Sequence, residues 1–386
     1  MRSYLLFDLD GTVSDPKEGI TKSLLHALQH FDLTCHHPDS LAKYIGPPLL
    51  DSFKELLGGE EEKAEEAVAK YREYYAPYGI YENNLYPGIA ALLQLCRQQG
   101  KKIFLATSKP EPFARQILEH WGIDVYFDYI GGSELSGERV AKQEVIAYLL
   151  QSCGIKPEEA LMIGDRRHDI QGAHQNNLPC VGVLFGYGSH EELTAAGADY
   201  LVSSVAELQQ LLLGSAIYQP REHPLGEVIQ RMIAHEGQQT RRIAHALKMH
   251  GYALGIAAGE GITGREMQLL QAAAILHDVG IGEAQRRFGE VNAKLQEQQG
   301  AILAGRFLRQ LGWDEALIEE VVFLVGNHHS YQVDGGLLLQ IIFDADYIVN
   351  YQERLERQPE GNHPSPQEML QRFFTVSGKA LFKEMI

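Results

Sequence analysis

Two carboxylates separated by one residue, Asp8 and Asp10, close a short apolar run in Phe7-Asp8-Leu9-Asp10-Gly11-Thr12. Alternate side chains of an extended chain share a face, so both can address one site. One can attack phosphorus and form an aspartyl phosphate. The other can protonate the departing oxygen and then take a proton from the hydrolytic water. In this reading Asp8 would be the nucleophile and Asp10 the acid and base. Attack on a charged phosphate also needs a metal ion and a positioned ammonium. Asp165 and Asp169, in Ile163-Gly164-Asp165-Arg166-Arg167-His168-Asp169, are candidate ligands for Mg²⁺. Thr107 offers a hydroxyl and a backbone N–H to the phosphate, and Lys142 offers a charge. Taken singly, these residues have ordinary explanations as turns, caps or surface groups.

A second set occupies the C-terminal half: His245, His277-Asp278, His328-His329 and Asp346. Imidazoles and carboxylates converging from separate helices are how all-α proteins build metal sites. A His-Asp dipeptide alone carries little weight, since His168-Asp169 is another with a different reading. His328 and His329 are left open between metal ligation and a pair favoured by a helix C-terminus. Asp344 is read as a surface or helix-capping residue rather than a ligand.

The elements that must position these groups follow from the hydrophobic pattern. Strand-like runs at 4–7, 102–106, 160–163, 181–185 and 199–202 alternate with helical stretches, which predicts an α/β fold with a parallel sheet. Ligands of such sheets sit beyond the carboxyl ends of the strands, where Asp8, Thr107 and Asp165 fall. Residues 16 to about 85 interrupt the rhythm with amphipathic helical patterns and no convincing strand, and read as a helical cap hinged at Asp15-Pro16 and Tyr86-Pro87-Gly88. The first domain is therefore 1–213, followed by a linker at 214–221 and an all-α domain at 222–386. Helices are expected over 241–258, 265–278, 295–311, 315–325 and 366–374.

The segments Asp8 to Thr12, Ala106-Thr107-Ser108-Lys109, Lys142 and Gly164 to Asp169 resemble the four ordered motifs of the haloacid dehalogenase superfamily of phosphatases. Asp15 to Ser23, Ile45-Gly46-Pro47-Pro48-Leu49 and Tyr86 to Ile89 resemble its phosphoglycolate phosphatase and 5'-nucleotidase-like branch. The resemblance implies a Rossmann-like core with a C1-type cap, and a Mg²⁺ site involving Asp8, Asp10, Asp165 and Asp169. It further implies phosphate contacts from Thr107, Ser108 and Lys109, with Lys22 and Gly46 of the cap selecting the leaving group. The C-terminal series resembles the HD superfamily of metal-dependent phosphohydrolases. That implies a divalent transition metal, such as Mn²⁺, Fe²⁺ or Zn²⁺, on His245, His277, Asp278 and Asp346. Lys294 to Gln299 stands where binuclear relatives carry a further histidine, which implies one metal, with His328, His329 or Glu297 as the available ligands to a second.

Composition narrows the substrate. A net charge of −17 disfavours nucleic-acid polymers and anionic membranes as partners, whereas a small phosphorylated metabolite, a nucleotide by resemblance, needs only a local cation cluster or metal. Cys35, Cys96, Cys153 and Cys180 form no C-x-x-C pair, so neither a zinc ribbon nor a redox motif is indicated. The apolar run before Asp8 is too short for a signal peptide, and no later run has the length of a membrane span. These readings place the protein in the cytoplasm and leave a homodimer open. Nucleotide hydrolysis is the expected activity of the first domain. Phosphoglycolate or sugar-phosphate hydrolysis, or phosphomutase chemistry, is the alternative. The HD domain is expected to be either a second enzyme or a ligand sensor.

Overall fold

Strand β1 (Tyr4–Phe7) is the centre of the first unit because its side chains alternate between two apolar layers. In this computed structural model, which describes residues 2–33, 35, 37–136, 138–214, 225–358, 361 and 363–385, Leu5 and Phe7 pack on one face of the sheet with Ile103, Leu105, Leu161 and Ile163. Leu6 packs on the other with Phe104, Ala106, Ala160 and Met162. Burial on both faces explains the continuous apolar runs of these strands. The remaining strands are β2 (Ser14–Asp15), β3 (Asn84–Leu85), β4 (Lys102–Pro110), β5 (Tyr129–Ser133), β6 (Ala160–Gly164), β7 (Cys180–Val183) and β8 (Tyr200–Val202). Six of them form a sheet of order β5-β4-β1-β6-β7-β8, parallel in every pairing.

Helices α1 (Lys17–His30), α2 (Leu49–Leu56) and α3 (Glu61–Tyr75) occupy the interval between β2 and β3. The pattern predicted no strand there, yet β2 and β3 pair antiparallel, Ser14 with Leu85 and Asp15 with Asn84, as a two-residue ribbon where the helical excursion leaves and rejoins the core. Two residues per strand carry no legible alternation. Strand β5 was also absent from the sequence reading, because Tyr-Ile-Gly-Gly-Ser looks like a turn. Its glycines are demanded by close approach: a Cβ on Gly132 would lie 2.6 Å from the Lys109 carbonyl oxygen. Six helices complete the unit: α4 (Ile89–Gln98), α5 (Glu111–Trp121), α6 (Lys142–Cys153), α7 (Arg167–Gln175), α8 (His190–Ala195) and α9 (Val205–Leu213).

The chain divides by internal contacts at 219/220, and of the linker expected at 214–221 all but Gly214 lies outside the described residues. The second unit is helical throughout its described residues: α10 (Leu225–Glu236), α11 (Thr240–Gly259), α12 (Gly264–Leu276), α13 (Gly280–Phe288), α14 (Ala293–Gln310), α15 (Glu315–Val325), α16 (Gly336–Arg357), α17 (Pro366–Leu370) and α18 (Val376–Met385). Its core joins Ile275, Leu276, Phe307, Trp313, Ile342 and Phe382. The helix expected to reach 374 stops at Leu370. Asp344 is the reason. Its carboxylate accepts the backbone N–H of Phe374 and of Thr375, both at 2.8 Å, and the Thr375 hydroxyl at 2.7 Å, so the chain turns there and α18 begins. Asp344 thus serves as a cap but is fully buried, not at the surface. No helix among the described residues is long and apolar enough to cross a membrane.

Candidate phosphohydrolase and metal centres

The backbone leaving β1 delivers Asp8 to the carboxyl edge of the sheet. Lys142, the first residue of α6, places its Nζ 2.6 Å from Asp8 Oδ1, 2.8 Å from Asp169 Oδ1 and 2.9 Å from the Ala106 carbonyl oxygen. All three side chains are at least nine-tenths buried. Burial pushes the Asp8 carboxyl above its ordinary value against the pull of Lys142. The ammonium is held charged well above its usual range, since Asp169 and Asp8 outweigh its desolvation.

Asp8, Asp165 and Asp169 each bring an oxygen within 4.8 Å of the others. Asp165 accepts the Tyr187 N–H at 2.7 Å through Oδ2, while its buried Oδ1 has no partner. Burial, then Asp169 and Asp8, raise the Asp165 carboxyl far above its ordinary value. An all-oxygen, triply acidic cluster with an orphaned buried oxygen fits a hard divalent cation. Gly11 belongs to the same construction: its φ is +83°, and a Cβ would lie 2.1 Å from Asp165 Oδ2.

Asp10 does not join these ligands through its side chain. Its Oδ1 is 2.8 Å from Lys109 Nζ, which also donates to the Tyr75 hydroxyl at 2.6 Å. Lys109, 7% exposed, is therefore not a surface residue. Burial raises the Asp10 carboxyl, and Lys109 opposes it. Thr107 is buried, its Oγ1 accepting the Lys109 N–H at 3.2 Å, where the register of β4 against β5 shifts between Ala106 and Pro110. Asp8, Asp10, Thr107, Ser108, Lys109 and Lys142 all line one cleft of about 870 Å³. Gly46, Pro47, Pro48, Tyr71 and Tyr75 supply cap-side walls. Arg166 donates to the Ile45 carbonyl and, through Nε, to Glu192 at 3.0 Å, tying that loop to the core. Lys22 departs from expectation. It is absent from the cleft lining and pairs with Glu18 at 2.7 Å and Glu82 at 2.6 Å. A cation between two carboxylates at the base of the cap helices serves the cap itself.

In the second unit His245 of α11, His277 and Asp278 after α12, and Asp346 of α16 converge. His245 Nε2 lies 3.3 Å from His277 Nε2, 3.6 Å from Asp278 Oδ2 and 3.4 Å from Asp346 Oδ1. His277 Nε2 lies 3.5 Å from Asp278 Oδ2 and 3.9 Å from Asp346 Oδ1. Ligands about 2.1 Å from a metal stand about 3.0 Å apart at right angles and about 3.4 Å apart tetrahedrally, so these separations suit one ion. The ring orientations agree. His277 Nδ1 donates to the Ala274 carbonyl at 2.9 Å and His245 Nδ1 to Glu353 at 3.0 Å, leaving both Nε2 lone pairs toward the site. In the metal-free state burial lowers the basicity of His245, but Asp346, Asp278 and Glu353 outweigh it and bring the imidazole to about 9.

The other oxygen of Asp278 faces a different group. Oδ1 is 3.5 Å from His328 Nε2 and accepts the Gln296 amide, and Asp278, His328 and His329 can offer atoms within 4.8 Å of one another. Glu297 falls outside that group, its carboxylate accepting the His329 N–H at 2.7 Å and the Ser330 hydroxyl. Sequence reasoning missed Glu353, Asn350, Gln296, Tyr75 and Arg166. The first two had a signal, because Asp346, Asn350 and Glu353 fall at positions 0, 4 and 7 of one helix face. Asn350 donates to Asp346 at 2.8 Å.

Comparison with known proteins agrees with this geometry. The family model for haloacid dehalogenase-like hydrolases matches residues 5–183, and that for the HD domain matches residues 242–351. A 5'-nucleotidase of Pseudomonas aeruginosa is 45% identical over 208 residues, 54% of this chain and 94% of that protein. The tyrosine-protein kinase PtkA of Mycobacterium tuberculosis is 40% identical over 184 residues, 48% of this chain and 62% of the kinase. The crystal structure of a predicted phosphatase from Clostridium acetobutylicum superposes with a TM-score of 0.54 at 48% identity, covering 55% of this chain and 99% of that one. With its buried aspartate cluster on the sheet edge and its converging histidines in the helical unit, the chain belongs to the haloacid dehalogenase-like hydrolases as a phosphomonoester hydrolase, and carries an HD domain behind that module.

Proposed function

We propose that the first module, 1–213, hydrolyses a nucleoside 5'-monophosphate through a phosphoryl-aspartate on Asp8, and that the second, 222–386, carries a separate metal-dependent phosphohydrolase centre. The observation that carries the first part is the buried Asp8 carboxylate, 2.6 Å from Lys142 on the floor of a cleft of about 870 Å³. Ligand sites of roughly 300–1,000 Å³ suit molecules of nucleotide size. The similarity to a 5'-nucleotidase favours the nucleotide over phosphoglycolate or a sugar phosphate.

In this reading an Asp8 oxygen attacks phosphorus and the ester P–O bond breaks. Asp10, whose carboxyl burial raises above its ordinary value against the pull of Lys109, gives a proton to the leaving oxygen. Water then attacks the phosphoryl-aspartate, passing a proton to Asp10 and releasing phosphate and free Asp8. Lys142 neutralises negative charge beside Asp8, and Thr107, Ser108 and Lys109 receive the phosphoryl oxygens. Asp8, Asp165 and Asp169 would hold Mg²⁺, which would supply the remaining charge neutralisation. Lys109 couples this charge to the cap through Tyr75.

For the second module, the Nε2 atoms of His245 and His277 stand 3.3–3.9 Å from each other and from the Asp278 and Asp346 oxygens, and with the oriented imidazoles this supports metal-assisted hydrolysis of a phosphate ester. This mixed nitrogen and oxygen set would hold Mn²⁺, Fe²⁺ or Zn²⁺, which would supply Lewis acidity for hydrolysis near neutral pH. The test is a phosphate-release screen over nucleotides, phosphoglycolate and sugar phosphates with Mg²⁺ and Mn²⁺. It compares the wild type, Asp8→Asn, and the double variant His277→Ala with Asp278→Ala. A nucleotide preference lost in Asp8→Asn supports the first part; preference for phosphoglycolate overturns the nucleotide assignment. An Mn²⁺-dependent activity that survives Asp8→Asn and vanishes in the double variant supports a second enzyme. If that variant only changes the rate at the first site, the HD module is a sensor.

A further inference from the structure

The amino-terminal edge of the sheet, opposite the Asp8 cleft, holds a third group of ligand side chains that neither phosphohydrolase centre uses. His174 lies in the last turn of α7, Cys180 opens β7 and Asp199 immediately precedes β8. His174 Nε2 is 3.1 Å from Asp199 Oδ2 and 3.4 Å from Cys180 Sγ, and Cys180 Sγ is 3.3 Å from the same carboxylate oxygen. Metal–ligand bonds of about 2.3 Å for sulfur and about 2.1 Å for nitrogen and oxygen place tetrahedral ligands about 3.4 Å apart for N and O, and about 3.6 Å for pairs with sulfur. The three separations match those edges within about 0.3 Å.

We propose that His174, Cys180 and Asp199 form a zinc-class metal site, with a water molecule as fourth ligand. Three different donor types on three elements meet in one triangle. A purely structural hydrogen-bond network would need only the Asp199 carboxylate, which already accepts the Cys180 backbone N–H at 2.8 Å. The thiol is fully buried, whereas His174 and Asp199 are 40% and 41% exposed, so the fourth direction opens to solvent. On binding, the Cys180 S–H bond breaks, its proton passes to water and a sulfur–metal bond forms. The bound ion ties the end of α7 to the starts of β7 and β8, while the first turn of α7 carries Asp169 of the catalytic cluster.

Sulfur gives this site a signature that the other two centres lack, because their ligands are nitrogen and oxygen only. The reduced, chelator-treated full chain is titrated with Co²⁺, and the thiolate-to-cobalt charge-transfer absorption in the near ultraviolet is followed. The expected result is a band that saturates at one sulfur-bound Co²⁺ per chain, disappears in Cys180→Ser, and bleaches on adding Zn²⁺. The exposed substitution His174→Ala should weaken the Co²⁺ affinity at least tenfold and keeps the test open if Cys180→Ser folds poorly. Absence of the band overturns the proposal. So does a band that persists in Cys180→Ser, which would belong to another cysteine, or one whose affinity is unchanged in His174→Ala.

Discussion

Glu353→Gln tests whether the HD centre is an oriented metal site or a chance convergence of polar groups. Glu353 is buried, and its Oε1 stands 3.0 Å from His245 Nδ1. The carboxylate can only accept, so it fixes the proton on Nδ1 and leaves Nε2 free for a metal. Glutamine has nearly the same shape but no charge, and its amide can donate to Nδ1 instead, which selects the wrong tautomer. Losing the partner behind a ligating histidine typically costs 10–100-fold in metal affinity, about 1.4–2.7 kcal/mol. Arg241 and Arg357 also pair with Glu353, but their side chains are 60% and 53% exposed, so their loss adds little. The assay is Mn²⁺ binding followed by electron paramagnetic resonance, in an Asp165→Asn background that silences the first centre. A Kd raised 10–100-fold at unchanged stoichiometry is expected. An unchanged Kd would refute the role given to Glu353, and an unchanged Kd in His277→Ala as well would refute the centre.

Three further outcomes follow from the same geometry. Asp165→Asn removes a carboxyl that burial, Asp169 and Asp8 hold far above its ordinary value, so at neutral pH it should stabilise the metal-free first unit by about 1–2 kcal/mol, a melting shift of roughly 2–8 °C in chelator, while removing Mg²⁺-dependent turnover. A lower melting temperature in chelator would contradict this. Lys109→Met removes the cation that lowers the Asp10 pKa, so the alkaline limb of kcat/KM, where the acid form of Asp10 is lost, should move to higher pH; a shift toward acid would contradict it. Asp344→Ala strands three hydrogen-bond donors in the core and should cost the helical unit roughly 2–4 kcal/mol in denaturant unfolding without changing phosphate release at the first site; a loss under about 1 kcal/mol would reject the capping role.

The sequence made the fold largely legible because β1, β4, β6 and β7 are buried on both faces and therefore apolar without interruption. It hid β5, whose Gly132 answers to the Lys109 backbone and Gly131 to the Leu149 side chain rather than to any local pattern, and the short ribbon of β2 and β3. Motif spacing gathered Asp8, Lys142, Asp165 and Asp169 because each follows a strand or opens a helix at one sheet edge. It misplaced Lys22, whose neighbours Glu18 and Glu82 are only partly local in sequence. Residues that act through another, such as Tyr75 on Lys109 or Gln296 on Asp278, declare themselves only in three dimensions. His174, Cys180 and Asp199 are the same case, since no contiguous motif spans them.

The central claim, that Asp8 carries the phosphoryl group, is tested most directly by trapping it. An aryl phosphate whose leaving group needs no proton lets Asp10→Asn form the intermediate while slowing its hydrolysis. After rapid acid quenching, peptide mass analysis should find one added phosphoryl group on the peptide containing Asp8 in Asp10→Asn, and none in Asp8→Asn, which should also lose Mg²⁺-dependent phosphate release. Steady Mg²⁺-dependent phosphate release by Asp8→Asn at the wild-type rate, or a phosphoryl group on any other residue, would contradict the account.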